Sequence, residues 1–176
     1  MLIYKQADSD IELRQILTLQ QANLPKNLTK EEKAKEGFLT VEHSFELLKA
    51  MNEVCKHTIA VSEDKIIGYA LSMHPKFGEE IEILKPMLAE IKKVVPLDYN
   101  YIIMGQVCIA KNYRGKGIFR ELYNAMKEFL PNNINKIITE VDIKNTRSIT
   151  AHQAIGFKEL KRYWVDEKEW SIVVLK

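Results

Sequence analysis

The sequence predicts a mixed α/β fold, a single sheet with helices on both faces and a parallel strand pair at its middle. Three observations carry it. First, Tyr101 to Ala110 is rich in β-branched and aromatic types, Gly115 and Gly117 break the run, and Ile118, Leu122, Ala125, Met126 and Phe129 then recur at helical spacing up to Pro131. Second, Lys136 to Ile143 reads as another strand after a short polar loop, and strand, helix and strand this close form a right-handed crossover with parallel strands. Third, two pairs of strand-like runs stand a short polar turn apart, the spacing of antiparallel hairpins.

In chain order, Leu2 to Ala7 alternates and starts the sheet. Ser9 with Glu12 forms a capping box, and Ile11, Ile16, Leu17 and Leu19 are the expected buried face of a helix that fades near Asn23, Leu24 and Pro25. Thr29 with Glu32 repeats the cap for a short charged helix ended by Gly37, and Thr40 is expected to start a third helix carrying Val41, Phe45, Leu47, Leu48 and Met51. His57 to Val61 and Ile66 to Met73 are the first hairpin, turning at Ser62 to Lys65. The segment from His74 to Pro96 is periodic but interrupted at Pro86, which predicts one kinked helix or two short ones. Asn145 begins a last helix to about Ile155, stopped by Gly156. Phe157 to Val165 and Trp170 to Leu175 close the chain as a second hairpin around Asp166 to Glu169.

A chain of 176 residues suits one domain, 1–176, because a single core accommodates roughly 100 to 200 residues. A net charge of +2 with 28% charged residues points to neither nucleic acid nor a membrane surface as partner. Cys55 and Cys108 lie in apolar segments without metal-ligand spacing, so reduced thiols, no metal site and a cytoplasmic location are expected. No run approaches the roughly 18 apolar residues of a membrane span, and no leader pattern opens the chain.

The glycine turn carries the chemistry. The first N–H groups of a helix lack internal acceptors and carry the positive end of its dipole, so a phosphate suits them, and Arg114, Lys116 and Arg120 add charge. The spacing lacks the Lys and Ser or Thr of a nucleotide-hydrolase loop, and a dinucleotide fingerprint would need glycine where Arg120 stands. Arg114, Gly115, Lys116, Gly117, Ile118 and Phe119 resemble the pyrophosphate-binding motif of the GNAT superfamily of N-acyltransferases, with Phe119 in place of a small residue. Asn145, Ser148, His152, Gly156 and Phe157 are similar to the second motif of that family, with His152 where a tyrosine usually protonates the leaving thiolate.

The resemblance implies a mostly antiparallel sheet with a splayed central parallel pair, and acetyl-CoA as cosubstrate. It implies that backbone groups of Val107, Cys108 and Ile109 bind the pantetheine arm and that Asn145 bonds the cofactor or fixes the strand end, a helix cap being the other reading of Asn145. Transfer to an amine needs a base, since an amine near pKa 10.4 arrives protonated, and it needs a proton for the sulfur. Glu140 is the first candidate for base or water-holder, ahead of Asp142, Gln106 and His74, and His152 is the candidate acid. Gly37, Phe38, Leu39 and Thr40 are candidates for the acceptor side, and the segment from His74 to Pro96 for an acceptor wall or a subunit contact, which leaves a homodimer open. The expected activity is N-acetylation of an amine by direct attack. A CoA-binding module without catalysis is the alternative from another class, and nucleotide binding at the glycine turn a third.

Overall fold

The computed structural model describes residues 1–32, 39–95 and 100–176, and the expectations for Gly37, Phe38 and Pro96 fall outside these. Among the described residues seven strands form a sheet in the order β1-β2-β3-β4-β5-β7-β6. They are β1 (Leu2–Gln6), β2 (Thr58–Ser62), β3 (Lys65–Met73), β4 (Tyr101–Ile109), β5 (Lys136–Asp142), β6 (Lys158–Val165) and β7 (Lys168–Leu175). The helices whose full extent lies among the described residues are α1 (Asp10–Gln21), α2 (Phe45–Val54), α3 (Lys85–Val94), α4 (Ile118–Phe129) and α5 (Thr146–Ala154). The pairings of β1 with β2, β2 with β3, β5 with β7 and β6 with β7 are antiparallel, while β4 and β5 run parallel with Tyr101, Ile102 and Ile103 opposite Lys136, Ile137 and Ile138. The chain divides into two compact units, Met1–Ser72 with Gly105–Phe129, and Met73–Met104 with Leu130–Lys176.

In the first unit the sheet is covered on both faces. Leu13 and Ile16 of α1 and Leu48 of α2 pack with Ile59, Ile66, Tyr69, Leu71 and Cys108, while Ile118 and Leu122 of α4 pack with Ala60 and Ile67. Period-two alternation along β2 sends Ile59 one way and Ala60 the other, which is how one strand feeds both layers. The capping box at Ser9 forms as expected, with Ser9 Oγ accepting from the Glu12 N–H at 3.3 Å. Ile11 does not join the buried face and is 71% exposed; Leu13 and Gln20 take those places. The helix expected from Thr40 starts instead at Phe45, capped by Ser44, whose Oγ accepts from the Leu47 N–H at 3.1 Å. Its early start is prevented because the Val41 carbonyl and the His43 N–H are engaged by Gln106 and Gln20, which holds residues 41–43 out of helical conformation.

The first hairpin turns on Glu63 and Asp64, with φ of 51° and 60°, and the second on Asp166 and Glu167, with φ of 47° and 61°. Two consecutive left-handed residues make the tight turn whose twist matches its strands. In the second unit, short 3-10 turns at Pro75–Glu79 and Glu82–Leu84 precede α3. Pro86 therefore begins the helix rather than interrupting it, because in the first turn its missing N–H costs no bond. Met87, Leu88 and Ile91 form the buried face of α3, and α3 packs on β6.

Two buried histidines couple the first unit to pH. His57 has Nε2 on the Leu48 carbonyl at 3.1 Å and Nδ1 accepting from the Ser72 N–H at 3.1 Å, so the neutral ring is the one that fits. Burial lowers both His57 and His43 to about 4. Against an unfolded value near 6.5, the unfolded chain binds more protons between those limits, so stability is full above about pH 6.5 and falls on acidification toward pH 4, by roughly 2–3 kcal/mol per ring. Urea midpoints measured at pH 7.5 and 4.5 should show this loss, and His57→Gln should flatten the slope.

Candidate active site

The glycine turn lies in the first unit. After β4 a 3-10 turn at Lys111–Tyr113 ends at Arg114, and Gly115 and Gly117 take φ of 74° and 81° before α4 begins at Ile118. A Cβ built on either glycine meets nothing within 4 Å, so the left-handed backbone rather than crowding requires glycine here. Such a turn directs successive N–H groups to one concave surface at the head of a helix, the arrangement that takes a phosphate. Ile118 anchors the head of α4 in the apolar cluster. Phe119, the bulky residue of the motif, is half-buried and packs edge to face on Tyr123 one turn on, with ring centroids 5.1 Å apart.

Arg114 supplies structure as well as charge. Its Nε donates to the Ile109 carbonyl at 3.0 Å and its Nη2 to Asn23 Oδ1 at 2.6 Å, tying the end of β4 to the segment after α1. Lys116 and Arg120 are exposed, and Lys116 Nζ lies 5.2 Å from the Tyr113 ring centroid. Beside the turn is a cleft of about 310 Å³ whose polar lining is Asn23, Asn27, Glu32, Lys111 and Arg114. Glu32 accepts from Lys111 Nζ at 2.6 Å, and that bond with the Thr29 cap holds its carboxyl down at about 2.

The part of β4 that follows Gly105 alternates between the two layers. Val107 and Ile109 pack with the α4 layer, and Cys108 faces the α1 and α2 layer, where burial pushes its thiol up to about 12 and makes it an inert apolar neighbour. Gln106 is buried and is not a base: Tyr69 Oη donates to its Oε1 at 2.8 Å, Gln20 Nε2 donates to the same oxygen at 2.9 Å, and its own Nε2 donates to the Val41 carbonyl at 2.8 Å. Gln20 also donates to His43 Nδ1 and accepts from the His43 N–H, each at 2.9 Å. Each amide group thus has matching partners, and the cluster pins residues 41–43 to β4. Gln20, His43 and Tyr69 carry no short-range signal and become visible only once four elements are packed.

His74, Glu140, Asp142, Asn145 and His152 lie in the second unit. Glu140 on β5 is half-buried and accepts a hydrogen bond from the Tyr163 hydroxyl of β6, a partner the sequence did not point to. Burial raises its carboxyl to about 7 even though the Tyr163 bond opposes the rise. Asn145 caps α5, its Oδ1 accepting from the Ser148 N–H at 3.1 Å, so its cap role is the one the geometry displays. His152 is buried, stacks edge to face on Phe157 at 5.0 Å and has Nδ1 at 2.8 Å from the Ser148 carbonyl. A carbonyl only accepts, so Nδ1 bears the proton and Nε2 of the neutral ring is an acceptor. Burial also lowers the His152 pKa. His74 is exposed and its Nδ1 accepts from the Lys76 N–H at 3.2 Å, a local turn contact. Among the described residues no cluster of metal-ligating side chains occurs, and no helix is long and apolar enough to cross a membrane.

A strand, left-handed glycine turn and helix, with a parallel neighbour strand and a cap-and-histidine helix after it, are the features of a CoA-dependent acyltransferase. The sequence model of the Acetyltransferase (GNAT) family matches residues 15–157, and the chain belongs to that family. It is an acyltransferase, and acetyl-CoA is its cosubstrate, for whose diphosphate the open turn at Gly115 and Gly117 is a fitting cradle. No curated protein matches the sequence. Among solved structures it is similar to the NatC complex bound to Gag peptide and CoA (TM-score 0.65, 17% identity, 99% of this chain and 97% of that chain covered). It is similar to the ribosomal-protein-S18-alanine N-acetyltransferase of Escherichia coli (TM-score 0.65, 14% identity, 99% and 93% covered). A third is the spermidine N-acetyltransferase of Vibrio cholerae with CoA and spermine (TM-score 0.59, 16% identity, 99% and 94% covered).

Proposed function

We propose that the chain N-acetylates a primary amine, of a peptide or a polyamine, by direct attack of the amine on the thioester of acetyl-CoA with Glu140 as general base. The observation that carries this is the Glu140 carboxyl, half-buried, bonded to Tyr163 and raised to about 7, the range in which a base is both available and strong enough to work at neutral pH. Acetyl-CoA supplies the activated acetyl group. Backbone N–H groups from Gly115 to Phe119 hold the diphosphate, with Lys116 and Arg120 contributing charge, and the backbone of Val107, Cys108 and Ile109 serves the pantetheine arm. The described parallel ladder covers only Tyr101 to Ile103 on β4, which supports a role for the later backbone groups outside that pairing.

His152 would have to be doubly protonated to give a proton from Nε2, and burial opposes that. Its replacement by glutamine is therefore expected to cost less than tenfold in kcat, well below the effect at Glu140. The acceptor classes are suggested by neighbours solved with a peptide and with spermine. Incubation with acetyl-CoA and a panel of peptides, free lysine and polyamines, read by release of CoA thiol, tests the proposal. Thiol release with one of these classes is expected. Binding of CoA with no release for any amine would instead favour a CoA-binding module without catalysis.

A further inference from the structure

We propose that Tyr163 is a positioning residue for Glu140, its hydroxyl fixing one carboxylate oxygen so that the other is left to the amine, and that α3 secures Tyr163 through Glu90 and Lys161. This rests on Glu140 acting as the base. The sheet register puts these groups together. Glu140 stands opposite Ile172 on β7, and Ile172 stands opposite Lys161 on β6, so the three share one face. Tyr163, two residues beyond Lys161, lies on that face as well and reaches back across β7 to Glu140.

β6 is an edge strand, and edges fray unless something covers them. Here α3 packs on β6, Lys161 Nζ donates to Glu90 Oε2 at 2.5 Å, and Lys93 Nζ donates to Glu90 Oε1 at 2.5 Å. The segment before β4 thus holds the strand from which the hydroxyl comes. The titratable and charged groups that register or packing places on this face with Glu140 are Tyr101 of β4, Lys136 and Asp142 of β5, Lys161 and Tyr163 of β6, Lys168 of β7, and Glu90 and Lys93 of α3. Burial and the nearby carboxylates Glu140 and Glu90 push the phenol far above its ordinary value, so Tyr163 remains a donor throughout the working pH range. A hydrogen bond to the charged form favours that form, so the hydroxyl also sets the pH at which Glu140 begins to work.

The test is the pH profile of kcat/KM, on the whole protein with an amine that turns over. Wild type should show an acidic limb near pH 7. Tyr163→Phe should move that limb up by about one pH unit, making the loss at pH 7 about fivefold greater than the loss that the unfixed carboxylate leaves at alkaline pH. Incorporation of 3-fluorotyrosine at 163, a more acidic phenol of nearly the same shape, should move the limb the other way and decides the matter if the phenylalanine variant does not fold. An unshifted limb in either folded variant, or a loss equal at every pH, overturns the proposal. Glu140→Gln separates it from the reading on which it rests. If that variant loses the limb while Tyr163→Phe leaves it in place, only the positioning role falls. If it keeps the wild-type profile, the base assignment falls too.

Discussion

Glu140→Gln should lower kcat/KM for an amine acceptor by about 10²- to 10⁴-fold at pH 7, the usual contribution of a positioned base, while CoA binding stays unchanged. The amide keeps the size and still accepts from Tyr163, so the loss isolates proton removal. The sign of the pH dependence follows from the carboxyl at about 7: activity rises as pH rises through that value, because the ionised form is the working one. The gap between variant and wild type should narrow toward pH 10, where the amine begins to lose its proton to solvent. A gap constant from pH 6 to 10 would point to a structural defect. Steady-state rates on a pH series check both statements.

Gly117→Pro should weaken CoA binding about 100-fold. Proline fixes φ near −65°, whereas Gly117 sits at 81°, and it removes an N–H at the head of α4. Displacing two charge-assisted bonds at roughly 1.5 kcal/mol each gives the factor of 100. Gly117→Ala keeps the N–H and has open space for its methyl, so it should lose only the conformational part, about tenfold. Circular dichroism would check that α4 persists, since its body is anchored by Leu122, Ala125 and Met126, a turn or more beyond Gly117.

Much of this was legible in the residues. The strand, glycine turn and helix, the Ser9 cap, the Asn145 cap and both hairpins follow from local chemistry that acts within a few residues, and the sequence predicts them for that reason. The start of α2 and the exposure of Ile11 were not legible, because both depend on which distant groups compete for the backbone or the core. Gln106 and Gln20 decide the first from two other elements. The site divides the same way. The glycine turn announces itself by its spacing, and its left-handed backbone at Gly115 and Gly117 is there; Glu140 as base stays a proposal. Tyr163 was invisible because its meeting with Glu140 needs the β5-β7-β6 order and the register of two pairings. The sequence offers Arg114 as charge and as the first residue of the pyrophosphate motif, and its bonds to Ile109 and Asn23 emerge only when β4 and α1 are in place.

Calorimetric titration of the wild-type protein with CoA and with pantetheine tests most directly whether backbone amides after Arg114 grip a diphosphate. CoA should bind at least 100-fold more tightly than pantetheine, and Gly117→Pro should erase most of the difference. Equal affinity for the two ligands, or a difference that survives in Gly117→Pro, would contradict it.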